Sequence, residues 1–242
     1  MWAAGWEGQG APGYAAVLTE ARYLAALRDT VLLSAGVALA SVALAAVVGT
    51  FLARRRFPGR RLLVALLTLP LAFPGVVVGF MVILLAGRQG VIGGLTESLT
   101  DERLVFAYSL AGLCLGYLYF SLPRCIATVM AAAEGLDPAL EEAARTLGAG
   151  PLRVARDVIL PGLAPELVAS GAIVFATCMG ALGTAFTLAA DIRVLPMVIY
   201  TEFTLATNFS VAAALSVLLG VVTWLALALA RIFGGGSVAA QA

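Results

Sequence analysis

The chain has 242 residues, of which 62% are hydrophobic and only 12% are charged. Soluble domains carry about 25% charged residues, so this composition excludes an ordinary soluble domain and predicts a membrane protein. The formal net charge of +1 gives no sign of an anionic polymer as partner, so no nucleic-acid interface is predicted.

Five apolar runs are long enough to cross the hydrocarbon core of a bilayer, which needs about 20 residues of helix. Helices are expected because a backbone in lipid must satisfy its own hydrogen bonds. The predicted fold class is therefore an all-α membrane protein with about five transmembrane helices. The predicted segments are an N-terminal periplasmic segment (1–29), a transmembrane domain (30–233) with spans at 30–53, 62–87, 104–123, 167–190 and 211–230, and a cytoplasmic tail (234–242).

An arginine-rich connection, RRRFPGRR, follows the first span. All fifteen basic residues of the chain are arginine, and five of them lie in this connection. Cytoplasmic loops carry an excess of basic residues, so the connection is placed in the cytoplasm and interpreted as an orientation anchor without a binding role. Alternation then predicts a periplasmic N-terminus, a cytoplasmic segment over residues 124–166 and a cytoplasmic C-terminus. The five arginines are Arg54, Arg55, Arg56, Arg60 and Arg61.

Several residues inside the spans are interpreted as structural. Pro70 and Pro74 would each remove a backbone hydrogen bond and kink the second span. Glycines in the spans are expected to allow close helix packing. Cys114, Cys125 and Cys178 are widely spaced and match neither a zinc site nor a redox pair, so they are predicted to be small core residues.

The cytoplasmic segment begins with a short predicted helix. Asp137 followed by Pro138 is typical of an N-cap and first helical position. Glu141 and Arg145 are spaced to form an i,i+4 ion pair on the polar face. Gly148 suits the left-handed position that ends such a helix. The apolar residues that recur at helical spacing are Leu136, Leu140, Ala143, Ala144 and Leu147.

A second short helix is predicted to start at Gly150 and Pro151 and to end at the sequence LPGLAP, with Pro165 in the first turn of the fourth span. The two helices form a hairpin, joined by a glycine elbow, whose apolar stripe has no evident partner in its own chain. The alternative is an amphipathic helix lying among lipid headgroups, which alanine, leucine and mixed charges suit poorly. The apolar residues of the second helix are Leu152, Ala155, Val158 and Ile159.

The outer side carries two acidic residues near the fifth span. Asp191 and Glu202 are interpreted as solvated loop charges; the alternative is that they attract a cationic solute or meet arginines of a binding protein. Residues 192–205, IRVLPMVIYTEFTL, are a candidate for a short external amphipathic segment against which a solute-binding protein docks. Whether residues 14–28 form a surface helix is left open.

Absent residue types exclude several chemistries. The chain has no lysine, so it contains no phosphate-binding loop of the GxxxxGK[ST] type. It has no histidine, which removes the commonest general base and metal ligand. No acidic residue lies centrally in a predicted span, which disfavours a proton- or ion-coupled carrier. No catalytic residue, metal site or cofactor is therefore predicted, and the chain is not expected to be an enzyme.

The hairpin carries a sequence signature. Glu142 begins the pattern E-A-A, three residues, Gly148, nine residues, a branched apolar position, one residue, and Leu-Pro. This pattern resembles the EAA motif of permease subunits of binding-protein-dependent ABC importers; Val158 stands where that motif usually has isoleucine. The stretch ARRRFPGRRLLVALLTLPLAFPGVVVGF resembles the family's arginine-rich turn and proline-broken second span. The stretch MGALGTAFTLAADIRVLPMVIYTEF resembles the segment after the motif in polyamine, iron, sulfate and phosphonate permeases. The resemblance covers about residues 30–233.

The resemblance implies a type I permease fold in which the hairpin is the coupling element. The implied partners are two cytoplasmic ATP-binding subunits, a second permease subunit, identical or homologous, a periplasmic solute-binding protein and membrane lipid. Glu142 would offer its carboxylate to donors in the elbow or in the ATPase. The implied location is a bacterial inner membrane. The residues assigned to ATPase coupling are Glu142, Ala143, Ala144, Leu147, Gly148, Leu152, Leu160 and Pro161.

Within the family, the chain most resembles the polyamine permeases. This resemblance implies a solute such as spermidine or putrescine. Iron, sulfate, thiamine and phosphonate are the alternative solutes. Two other functions stay open from the residues alone: a membrane scaffold or assembly subunit that recruits a partner without ATPase activity, and a stand-alone carrier. Five spans enclose a selective path poorly, which favours assembly with a second subunit.

Overall fold

The computed structural model of the chain describes residues 17–188 and 192–234. Within these ranges the structure is all α-helical, as predicted. The helices are α1 (Ala21–Arg54), α2 (Arg60–Thr68), α3 (Gly75–Ala86), α4 (Val91–Thr100), α5 (Leu110–Gly135), α6 (Pro138–Thr146), α7 (Pro151–Val154), α8 (Leu160–Met179), α9 (Leu182–Leu188), α10 (Leu195–Thr204) and α11 (Phe209–Gly234).

Five segments in the described part of the chain are long and apolar enough to cross a membrane, which confirms the predicted number. Their bounds are Ala21–Arg54, Gly75–Thr100, Leu110–Gly135, Pro151–Met179 and Phe209–Ile232. The described residues divide into two compact units. The first comprises 17–36, 74–117 and 176–225, and the second comprises 37–73, 118–175 and 226–234.

The first helix is longer than predicted. It begins at Ala21, nine residues before the expected start of the first span. Residues 21–28 therefore belong to α1 and do not form a separate surface helix. Residues 1–16 of the predicted N-terminal segment lie outside the described residues, as do residues 235–242 of the tail.

The prediction of one continuous helix over residues 62–87 is wrong. A 3₁₀ turn over Leu69–Ala72 follows α2, and Phe73 and Pro74 are extended before α3 begins at Gly75. Proline lacks an amide hydrogen and forces the preceding residue out of the helical region, so Pro74 breaks the helix where only a kink was expected.

The predicted boundaries of the third and fourth spans also differ from the structure. Helix α5 continues through Pro123 to Gly135, since spanning helices tolerate the loss of one backbone hydrogen bond. The helix predicted to end at LPGLAP does not end there. Instead α7 passes through a π turn over Ala155–Ile159 into α8, and the Leu160 amide donates to the carbonyl of Ala155. This wider turn lies directly before Pro161, whose ring would clash with a regular preceding turn.

Small residues pack α3 against α9 in the first unit. The Thr184 hydroxyl donates to the carbonyl of Gly75 at 3.0 Å. A Cβ atom added at Gly79 would lie 1.6 Å from Thr187 Oγ1, so a larger residue there would require Thr187 to move. The interpretation of span glycines as packing residues is confirmed at these positions. None of the three cysteines forms a disulfide; Cys125 and Cys178 are buried, as expected of core residues, and Cys114 is half-buried.

Glu202 is not the solvated loop charge that was predicted. It lies in α10, is buried, and accepts a hydrogen bond from the Tyr23 hydroxyl at 3.0 Å. The Arg22 guanidinium lies 3.6 Å from the same carboxylate oxygen. A buried carboxylate needs such partners because desolvation without them is costly. Asp191, the other acidic residue of this prediction, lies outside the described residues.

Candidate coupling site

The first arm of the hairpin has the predicted cap. Asp137 is the N-cap of α6, and its Oδ1 accepts a hydrogen bond from the Ala139 amide at 2.9 Å. Pro138 occupies the first helical position, where a missing amide hydrogen costs nothing. This start of the helix is confirmed.

The elbow is a Schellman motif centred on Gly148. Its φ is +84°, the left-handed value predicted from the sequence. The Gly148 amide donates to the carbonyl of Arg145 at 3.0 Å, and the Ala149 amide donates to that of Ala144 at 3.0 Å. No atom lies within 4 Å of a Cβ added at Gly148, so the backbone angle, and not space, requires glycine. Gly150, with φ −70°, then caps the helix that begins at Pro151.

The apolar stripe of the hairpin is exposed within the described structure. Leu147 is 88% exposed and Leu152 is 84% exposed, while Leu140 is 55% exposed. Leucine side chains in water forfeit about 2 kcal/mol each relative to burial. A face of this kind on a capped, well-defined hairpin is typical of a docking surface.

The opposite side of α6 is tied to the end of α1. Glu141 is only 6% exposed, and its Oε1 lies 2.7 Å from Arg54 Nε. The Nε–H does not point at that oxygen, so the contact is an ion pair without a hydrogen bond. Arg54 also donates to the Leu136 carbonyl at 3.3 Å, and Arg145 donates to Glu141 Oε2 at 3.0 Å. The predicted pair of Glu141 with Arg145 is confirmed, but its carboxylate faces the protein and not the solvent.

A second arginine of the connection makes similar contacts. Arg60 donates through Nε to the Leu52 carbonyl at 2.7 Å and through Nη2 to Glu134 at 2.6 Å. The interpretation of this connection as an orientation anchor alone therefore missed its structural role. The signal in the sequence was the presence of Glu134 and Glu141 on either side of the turn between α5 and α6, but spacing alone does not pair them with particular arginines.

The residues of the EAA pattern lie on the outside of the hairpin. Glu142 is exposed and makes no hydrogen bond or ion pair with any described residue, so donors in the elbow do not hold it. Leu160 and Pro161 lie further along, at the start of α8, and are also exposed. The structure thus brings the motif's glycine and alanines together on α6 and the elbow, while its Leu-Pro pair lies beyond the π turn.

The family model described as binding-protein-dependent transport system inner membrane component matches residues 45–235 of the chain. The chain belongs to this family. The resemblance to type I permeases of ABC importers is thereby confirmed.

This binding-protein-dependent permease is 37% identical over 182 residues to the molybdenum transport system permease protein ModB of Escherichia coli (strain K12), covering 72% of this chain and 78% of that protein. It is 34% identical over 176 residues to the sulfate transport system permease protein CysT of Salmonella typhimurium, covering 73% of this chain and 62% of that protein. These relatives give no support to a polyamine as solute, whereas sulfate was among the alternatives.

The fold of the permease is similar to a solved structure. A chain of the bacterial alginate ABC transporter, in complex with an alginate pentasaccharide-bound periplasmic protein, superposes with a TM-score of 0.79 at 16% identity. The superposition covers 93% of this permease and 82% of that chain. At this identity the likeness establishes the fold and not the solute.

Proposed function

We propose that this permease subunit imports a tetrahedral oxyanion of the molybdate and sulfate class. The observation that carries the proposal is the 37% identity to a molybdenum permease over most of both chains, accompanied by 34% identity to a sulfate permease. Molybdate and sulfate are both compact tetrahedral dianions, so one path suits either solute. The solute itself would be delivered by a periplasmic binding protein.

The hairpin over residues 138–159 is the proposed docking element for a separate ATP-binding subunit. An amphipathic helix lays its apolar face into a partner's groove, and Leu147 and Leu152 present such a face. Glu142, exposed beside them, is available to a basic residue of the ATPase. Two ATPases and a second permease complete the importer, and the excess of arginine in the connection between α1 and α2 supports a cytoplasmic position for the hairpin.

The second arm of the hairpin is continuous with a helix that is long and apolar enough to cross the membrane. Helix α7, the π turn and α8 form one helical segment, Pro151–Met179, with no loop between them. A displacement of the docked hairpin therefore moves α8 as a body, as in other rigid-body switches between access states. Leu160 and Pro161 lie where the hairpin joins this segment, which is their proposed part in coupling.

The solute is tested with the complete importer purified through a tag on this chain and reconstituted in vesicles with ATP and the periplasmic binding protein. We expect ATP-dependent accumulation of molybdate or sulfate and none of spermidine. Vesicles that hold a non-hydrolysable ATP analogue are the control. Accumulation of spermidine, or of neither oxyanion, would contradict the proposed solute class.

The docking surface is tested by replacing Leu147 or Leu152 with aspartate. A charge buried in an apolar groove costs several kcal/mol, so we expect each variant to recover less than about a tenth of the ATPase in a tag purification. The control is Leu205→Asp, since Leu205 is 76% exposed but follows α10, away from the hairpin in sequence. Equal ATPase recovery from all three variants would refute the docking surface.

A further inference from the structure

A groove of about 950 Å³ lies between α5 and α8 in the second unit. Most of its lining is alanine, glycine and branched aliphatic side chains. Two charged residues also line it, Arg124 from α5 and Glu166 from α8, together with the hydroxyls of Thr128 and Ser170. The exposed hairpin leucines Leu140, Leu147 and Leu152 do not line the groove, whereas Leu136, just before the hairpin, does line it.

Arg124, at the start of the predicted cytoplasmic segment, lies within α5, a helix long and apolar enough to cross a membrane. Helix α5 continues for eleven more residues after Arg124 and ends at Gly135, which is about 17 Å of helix. Arginine inside a spanning segment is costly unless it faces water or a partner, and such residues mark solute paths. Its side chain is exposed and lines the groove, and no carboxylate of the described residues lies within 4 Å of it.

The hydroxyl groups that line the groove already donate hydrogen bonds to backbone carbonyls of their own helices. The Thr128 hydroxyl donates to the carbonyl of Arg124 at 3.1 Å, and the Ser170 hydroxyl donates to that of Leu167 at 3.2 Å. The Cys125 thiol lies 3.5 Å from Ser170 Oγ. The guanidinium of Arg124, with five N–H donors, is therefore the group of this groove that is able to donate to an anion.

We propose that Arg124 contacts the oxyanion during its passage and that the groove between α5 and α8 forms part of the translocation path. This inference rests on the proposed function, because it assumes an oxyanion as the solute. A guanidinium matches the oxygens of a tetrahedral oxyanion in a bidentate manner. The groove is much larger than such an ion, so the ion passes with part of its hydration shell.

The test uses the reconstituted importer with Arg124→Gln, Arg124→Lys and the control Arg88→Gln. Arg88 is exposed between α3 and α4 and has no ion pair within the described residues. Loss of a charge-assisted hydrogen bond predicts that Arg124→Gln lowers oxyanion uptake about tenfold or more. ATP hydrolysis stimulated by the loaded binding protein is expected to persist, so more ATP is consumed per ion. Arg124→Lys keeps the charge and is expected to recover part of the uptake, while Arg88→Gln matches the wild type.

Three results would overturn the inference. One is wild-type uptake in Arg124→Gln. Another is failure of Arg124→Gln, but not of Arg88→Gln, to assemble with the second permease, which would assign Arg124 to a contact between subunits. The third comes from Arg124→Cys in a chain whose native cysteines are replaced by alanine: no reaction with a charged, water-soluble thiol reagent would show that water does not reach the groove.

Failure of the proposed function gives a different pattern. If the wild-type importer carries neither oxyanion, the solute proposal fails before any variant is compared. The same variants are then assayed with the solute that is carried. If that solute is an anion and its uptake falls tenfold in Arg124→Gln, the proposed contact between Arg124 and the solute is retained. If the solute is neutral or cationic, the proposed contact is refuted.

Discussion

Replacing Gly148 by proline is expected to abolish ATP-driven uptake while leaving the permease inserted in the membrane. Proline is confined to a φ near −65°, whereas the elbow requires +84° at this residue. Proline also removes the amide that donates to the Arg145 carbonyl. A combined penalty of about 3 kcal/mol or more would lower the fraction of correctly shaped hairpin, and with it uptake, about 100-fold. Uptake and ATPase recovery are measured in the reconstituted importer.

The matched control for this elbow is Gly150→Ala, two residues away. Gly150 has a φ of −70°, which alanine adopts freely, and no atom lies within 4 Å of the added Cβ. We expect this variant to keep most of its uptake. If Gly148→Pro also transports normally with its ATPase bound, the elbow has no part in coupling.

Removing the Arg54 guanidinium by Arg54→Gln is expected to loosen the hairpin from α1. Glu141 would stay buried with Arg145 as its one remaining partner among the described residues. Breaking a buried ion pair lowers the free energy of unfolding by about 3 kcal/mol at the low end of the usual range. The low end applies because the Arg54 side chain is 22% exposed. The thermal unfolding midpoint in detergent should fall by about 6–12 °C. Uptake should fall as well, because an untethered hairpin transmits less of the ATPase movement to α8.

A double-mutant cycle separates this ion pair from general effects of charge. Glu141→Gln alone should also destabilise the permease, but Arg54→Gln combined with Glu141→Gln should cost less than the sum of the two single changes. Arg56→Gln is the control, since Arg56 is exposed in the same connection. Strictly additive effects, or an equal loss in Arg56→Gln, would exclude a specific role for the pair.

The arginines of the connection between α1 and α2 thus have two consequences. Their number biases the orientation of the chain through the positive-inside effect, which needs no particular contact. Two of them, Arg54 and Arg60, also bind groups of the segment that leads from α5 into the hairpin. The first consequence is readable from composition, while the second depends on which side chains the fold brings within reach.

The amino-acid sequence by itself determines the features of this permease that depend on local chemistry. The all-helical membrane class follows from apolar runs that must satisfy their own backbone hydrogen bonds. The cap at Asp137, the left-handed turn at Gly148 and the helix start at Pro151 each depend on the conformational preference of one or two residues, and all were predicted correctly.

Features that depend on distant residues were decided by the tertiary structure. Sequence rules stop a helix at proline, yet α5 continues past Pro123, because a spanning helix accommodates one lost hydrogen bond. The segment α7–α8 continues past Pro161, because the π turn before it relieves the clash of the proline ring. Glu141 and Glu202 read as surface charges on their own segments, but each is buried against an arginine more than 80 residues away in the chain. Helix type and turns are encoded locally, whereas the burial of a charge such as Glu141 depends on packing between segments that periodicity does not relate.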